Sequence, residues 1–175
     1  MISLGIDLGG TQIKYGLVED GKILDCGICD TRLEEGYQAV VHRMADCAKS
    51  FLRGAEAEFV GIASPGLVDT YQGVVRYSNN FGWHNVPLAK DLSDCLELPA
   101  RIANDASAQH WAKRYTVPEK GFRGWRCLRL EQASAADLYE MDNWKQMAMV
   151  LWPIYLVIVL LHMMESFATA DKGVV

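Results

Sequence analysis

Along the first hundred residues, short apolar runs alternate with breaks rich in glycine, proline and acids. Ile2 to Ile6 is one such run and Ile13 to Val18 is a second, with Asp7-Leu8-Gly9-Gly10-Thr11 between them. Two apolar runs around a glycine bend predict a β-hairpin. Glu19-Asp20-Gly21-Lys22 is the next turn signal, so Lys22 to Thr31 is expected as a third strand of the same meander. The period then changes: Val40, Val41, Met44, Ala45, Ala48 and Phe51 fall three or four apart, which predicts a helix over 36–53 with one apolar face. Phe59 to Ser64 is a short apolar run after that crossover, expected as a buried parallel strand ended by Pro65-Gly66. Val68-Asp69 and Val74 to Tyr77 predict a small ribbon around Tyr71-Gln72-Gly73. Ser78 to Val86 is polar and aromatic and is expected as a loop, Leu88 to Leu96 as a helix opened by Pro87, and Pro99 to Ala103 as a further strand.

Three of these breaks carry candidate chemistry. In the first bend, glycine lets backbone N–H groups approach a ligand closely, and a turn of exposed N–H groups forms an anion-binding concavity. An acid beside a phosphate needs a cation between them, so Asp7 points to Mg²⁺ held through water. The same string also suits an ordinary tight turn. In Ser78-Asn79-Asn80-Phe81-Gly82-Trp83-His84-Asn85, the amides suit sugar hydroxyls and Trp83 suits the C–H face of a sugar ring. The competing reading is a solvated loop with Trp83 as a hydrophobic plug. Asp105, after Asn104, is either a helix cap or a ligand residue at the carboxyl end of a strand, where open α/β sheets gather their ligands.

Composition narrows the function classes. A chain of 175 residues suggests one domain, or one and a fragment, and half of it is hydrophobic, enough for a core. A net charge of −5 argues against a nucleic-acid surface, which needs Lys and Arg in excess. Five cysteines, an odd number, with no basic segment ahead of the first strand, predict a cytoplasmic protein without a signal peptide. Cys26 and Cys29 form a CxxC on a predicted strand, and no second Cys/His pair stands at zinc spacing, so both are expected to be plain strand cysteines.

Taken together and in order, Gly5 to Val18, Gly61 to Gly66, Asn80 to Leu88 and Leu98 to Ala108 resemble the ROK family of sugar kinases and related regulators, with bacterial glucokinases the nearest type. The resemblance implies an α/β fold in which residues 1–108 are the N-terminal lobe of an actin-like, ribonuclease-H-like ATPase, with ATP in a cleft between two lobes. It implies that Asp7, Gly9, Gly10 and Thr11 form the first phosphate motif, with Asp7 orienting Mg²⁺ through water. Ser64, Pro65 and Gly66 would lie beneath the sugar, Asn80, Asn104 and Asp105 would bind its hydroxyls, and Asp105 would be the catalytic base. The implied activity is ATP-dependent phosphorylation of a hexose hydroxyl. The full-length family forms homo-oligomers. The alternative within the family is a sugar-responsive transcriptional regulator; such regulators carry a helix-turn-helix ahead of this lobe, whereas this chain opens on the first strand and is acidic.

The resemblance stops after Ala108. Residues 109–175 carry neither the family's second phosphate loop nor its Cys/His zinc cluster, so the C-terminal segment is expected to be aberrant or truncated and the chain itself inactive. The tail instead holds an apolar run, Met147 to Met164, just long enough to span a membrane if taken at face value, which gives a membrane-anchored, non-catalytic module as a further alternative. The preferred reading is that the tail is out of frame. Codons built from the third base of one residue and the first two of the next make Leu-Gly obligatory from His110 and Trp111, and Asp-Gly obligatory from Met163 and Met164. The same frame permits T-L-G-T-G-I-G-G-G over Leu128 to Ala136, a glycine-rich phosphate loop, and C-N-C-G-Q-R-G-C over Phe167 to Val174, a zinc-type string. On that reading no membrane contact is expected.

Overall fold

The computed structural model describes residues 2–19, 22–106, 116–118 and 125–127. Three strands open the chain: β1 (Ile2–Leu8), β2 (Gln12–Glu19) and β3 (Lys22–Asp30). They form the expected meander, antiparallel throughout, with Asp7 in register with Lys14 and Ile13 with Cys29. A 3-10 turn (Leu33–Glu35) leads into α1 (Tyr37–Leu52), and β4 (Phe59–Ser64) follows. This connection lays β4 parallel beside β1 on the side away from β2. Next come β5 (Leu67–Asp69), β6 (Val74–Ser78), β7 (Trp83–Val86), α2 (Leu88–Leu96) and β8 (Ala100–Asn104). β8 adds parallel to β4, giving a five-stranded sheet in the order β3-β2-β1-β4-β8, while β5, β6 and β7 make a separate antiparallel ribbon. Beyond these, β9 (Thr116–Pro118) and β10 (Trp125–Cys127) pair antiparallel.

Strand alternation decides which face is apolar. Leu4, Ile6 and Leu8 of β1 align with Ile13, Tyr15 and Leu17 of β2 and, through Ile62, with Ile102 of β8. Most of this set packs with Val40, Val41, Met44, Ala45 and Ala48 of α1 and with Leu88 and Leu92 of α2 in one buried cluster. The helix predicted over 36–53 is thus α1, and its apolar stripe is the core face. The segment expected as a loop over 78–86 is corrected in part: Trp83–Val86 is strand β7, paired to β6 through Ser78↔Trp83 and Tyr77↔His84. Sequence pattern missed it because only its first and last residues are apolar. The apolar run at 147–164 lies outside the described residues, and no described helix is long and apolar enough to cross a membrane.

Cys26 and Cys29 sit three residues apart on β3, so alternation sends their side chains to opposite faces and they cannot share a ligand. Cys29 faces the helix side, its Sγ 3.6 Å from Tyr15 Oη, which in turn donates to the Met44 carbonyl at 3.4 Å. Burial first, and a hydrogen bond with Cys47 second, push the Cys29 thiol from its ordinary value of 9.0 up to about 11. A thiol shifted that far is about one part in a thousand thiolate at pH 8, and the thiolate is the nucleophile. Iodoacetamide at pH 8 is therefore expected to modify Cys29 of the folded chain on the order of a hundredfold more slowly than a free cysteine. Equal rates, read by peptide mass spectrometry, would show that this thiol is not held in the core.

Candidate functional site

The parallel register of β1, β4 and β8 brings the candidate residues to one edge of the sheet. Asp7 is level with Ala63 and Ala63 with Ala103, while Ser64 is level with Asn104. Asp7, Ser64, Asn104 and Asp105 therefore stand together at the carboxyl ends of three neighbouring strands. Two strand spacings, about 10 Å, separate β1 from β8 laterally. Such an edge is where open α/β sheets hold ligands.

The bend after β1 is built tightly. The Gly9 N–H donates to the Gln12 carbonyl at 3.0 Å and closes the turn. A Cβ on Gly9 would fall 2.7 Å from that same carbonyl oxygen, so only glycine fits. Gly10 and Thr11 are exposed and form the outer surface of the bend. Asp7 is half-buried at the end of β1, with Lys14 opposite it on β2.

The second segment is Ser64-Pro65-Gly66. Ser64 is wholly buried and its Oγ donates to the Pro65 carbonyl at 3.3 Å. Gly66 adopts φ +106°, and a Cβ there would stand 2.4 Å from the Tyr77 carbonyl oxygen and 3.0 Å from Ser78 Cα. The turn thus rests directly on the end of β6, where the Asn79-Asn80 loop begins. The Asn104 amide donates to the Gly66 carbonyl at 2.7 Å, tying the end of β8 to the same turn.

Asn80 is exposed in the loop between β6 and β7. Its neighbour Phe81 reaches the first bend: a Cβ on Gly10 would be 3.8 Å from Phe81 Cε1, an ordinary contact distance. Phe81 also meets Trp83 edge to face at 4.7 Å, and Trp83 meets Tyr37 in the same manner at 4.9 Å. Trp83 is only 5% exposed. Of the two readings of this tryptophan, the structure realises the plug; a ring so covered offers no face to a sugar. Tyr37 extends the stack to α2 by donating to Asp91 Oδ2 at 2.8 Å, and burial and that carboxylate hold its phenol far above the ordinary range.

Asp105 is half-buried, and its Oδ1 accepts the Ala106 N–H at 2.7 Å where the chain turns helical. It stands both at a helix start and at the strand-end edge. Phe81 of the Asn80 loop thus lies beside Gly10 of the bend, Gly66 lies against the end of β6 at Ser78, and Asn104 at the end of β8 bonds to Gly66. Two residues of this neighbourhood carried no sequence signal. Phe81 has nothing in its spacing that places it beside the bend, and Thr31 is a buried polar residue bonded to the bend.

The donor set suits an Mg²⁺–polyphosphate group more than a bare metal site. Among the described residues no three His, Cys, Asp or Glu side chains converge as metal ligands. Asp7 offers a half-buried carboxylate at the end of β1, beside a bend with an exposed outer surface. One carboxylate, water and phosphate oxygens are the usual shell of Mg²⁺.

Residues 3–130 match the ROK family, a span that runs beyond the 108 residues expected from sequence. The chain is 46% identical over 125 residues to a glucokinase of Thermotoga maritima, covering 70% of this chain and 38% of that protein. It is 31% identical over 130 residues to a glucokinase of Streptomyces coelicolor, covering 74% of this chain and 40% of that one. Among solved structures it superposes with a ROK family glucokinase from Streptomyces griseus in complex with glucose and AMPPNP. That match has a TM-score of 0.60 and 29% identity, over 65% of this chain and 36% of that chain. The chain thus spans about two fifths of the length of the curated relatives it matches.

Proposed function

The chain belongs to the ROK family, and from that premise we propose that it supplies the N-terminal lobe of an ATP-dependent hexose kinase. The α/β fold of the described residues is that of the actin-like lobe of ROK sugar kinases. The observation that carries the functional reading is the shared edge: the Gly9-Gly10-Thr11 bend and Asp105 lie at the carboxyl ends of strands in one parallel register, with Phe81 of the Asn80 loop beside the bend and the end of β6 against the Gly66 turn.

In this reading the bend receives the polyphosphate of ATP, and Asp7 holds Mg²⁺ through water. The metal, when bound, neutralises charge on the phosphates. Asn80 and Asn104 bind sugar hydroxyls, and the buried Ser64 with Pro65 and Gly66 sets the floor beneath the ring. Asp105 accepts the proton of the attacking hydroxyl as its oxygen bonds to the γ-phosphorus and the bond to ADP breaks. The remaining acceleration comes from holding the two substrates in line.

The relatives are more than twice as long as the matched segment, and transfer between two bound substrates needs both walls of the cleft. The family match runs to residue 130 in the frame given, and the segment beyond it, to Val175, is proposed to be the out-of-frame reading of the second lobe. The test is a coupled assay of ADP release with glucose and ATP, run on the 175-residue chain and on the product of a gene with one base added or removed between codons 108 and 130. The 175-residue chain is expected to give no hexose-dependent turnover, and the frame-restored, two-lobed protein to give it. Normal turnover by the 175-residue chain would remove the need for a second lobe. A restored frame lacking the glycine-rich loop would remove the frame reading.

A further inference from the structure

We propose that Thr31 is the positioning residue of the phosphate bend: it fixes which backbone N–H groups the bend presents to a polyphosphate. The inference rests on the proposed role of Gly9-Gly10-Thr11 and adds a residue outside that motif, twenty positions along the chain.

Thr31 follows the last residue of β3 and has no exposed surface, an unusual burial for a hydroxyl. Both of its donors are spent on the bend. Its Oγ1 donates to the Gly9 carbonyl at 2.7 Å, and its N–H donates to the Thr11 carbonyl at 2.9 Å. With the Gly9 N–H already closing the turn on Gln12, three backbone groups of a three-residue bend are fixed. The consequence follows from peptide geometry. Across a planar trans peptide the carbonyl of one residue and the N–H of the next point in opposite directions. Drawing the Gly9 carbonyl toward Thr31 therefore turns the Gly10 N–H away from β3, on the exposed side of the bend. Without the Thr31 hydroxyl, glycine at both positions would let that peptide flip at little steric expense, and the donor would lose its direction. A buried side chain thus sets the aim of an exposed amide.

The test uses the ¹⁵N-labelled 175-residue chain, with inorganic tripolyphosphate and Mg²⁺ as the probe and the Gly10 amide as the reporter. Wild type is expected to show a saturable shift of the Gly10 amide. Thr31→Val, equal in shape but without the donor, is expected to weaken that binding about tenfold and to speed amide exchange at Gly10. Thr31→Ser is expected to restore both to within about twofold, which a purely space-filling role would not require. Should the valine variant fail to fold, Thr31→Cys, similar in size and a poor donor, replaces it under the same criteria. A valine variant with wild-type binding and wild-type Gly10 exchange overturns the proposal. A wild-type chain in which tripolyphosphate leaves Gly10 unmoved counts against the phosphate reading instead, and the exchange comparison still decides whether Thr31 sets the bend.

Discussion

Asp105→Asn in the two-lobed protein is expected to lower kcat for hexose phosphorylation by about 10²- to 10⁴-fold, the usual worth of a positioned general base, while the KM for ATP stays within about twofold. The substitution isolates chemistry from structure. Asparagine keeps an oxygen where Asp105 Oδ1 accepts the Ala106 N–H, so the helix start survives. What it loses is a group able to take the proton of the sugar hydroxyl. An interaction made only as the proton moves shows in kcat more than in binding. Steady-state kinetics with glucose and ATP decide the matter. A variant within tenfold of wild type in kcat would assign the base to another residue and leave Asp105 as a helix cap.

Gly66→Ala is expected to destabilise the lobe by about 2–4 kcal/mol, lowering its melting midpoint by roughly 10–20 °C for a core of this size. Two penalties combine at one atom. The backbone at φ +106° is a region that side chains rarely adopt, and the new Cβ would stand 2.4 Å from the Tyr77 carbonyl oxygen. That neighbour is main chain, within β6, and cannot rotate aside. Gly82 provides the control. It too has a positive φ, +64°, but a Cβ there meets nothing within 4 Å. Gly82→Ala is expected to show only the conformational penalty, about 1 kcal/mol. Thermal denaturation followed by circular dichroism separates the two; equal midpoints would show that the Tyr77 contact yields.

How much of this was legible in the sequence depends on the range of the interaction that fixes it. The meander, α1, β4, α2 and β8 were legible because each is written in local periodicity, as with Val40, Val41, Met44, Ala45 and Ala48 on one helical stripe. β7 was not, since Trp83–Val86 has no alternation of its own and is a strand only because β6 lies beside it. The glycine bend and the acid at Asp105 were visible as types of residue in order. That they share one edge is a statement about register between β1, β4 and β8, which no local window contains. Trp83 illustrates the limit: its composition allowed a sugar platform or a plug, and only the neighbours Tyr37 and Phe81 decide for the plug. Thr31 was invisible because a lone threonine after a strand has no pattern. Its partners Gly9 and Thr11 are brought to it by the pairing of β2 with β3.

The same strands that carry Leu4, Ile6, Ile62 and Ile102 in their middles carry Asp7, Asn104 and Asp105 near their tips. Cohesion and the proposed chemistry are therefore assigned to different storeys of one building. A library of variants screened for soluble expression would be filtered severely at the middle storey. At exposed tip positions such as Asn80 it would pass far more, so variants that differ only in the proposed chemistry would look alike by yield and by melting point.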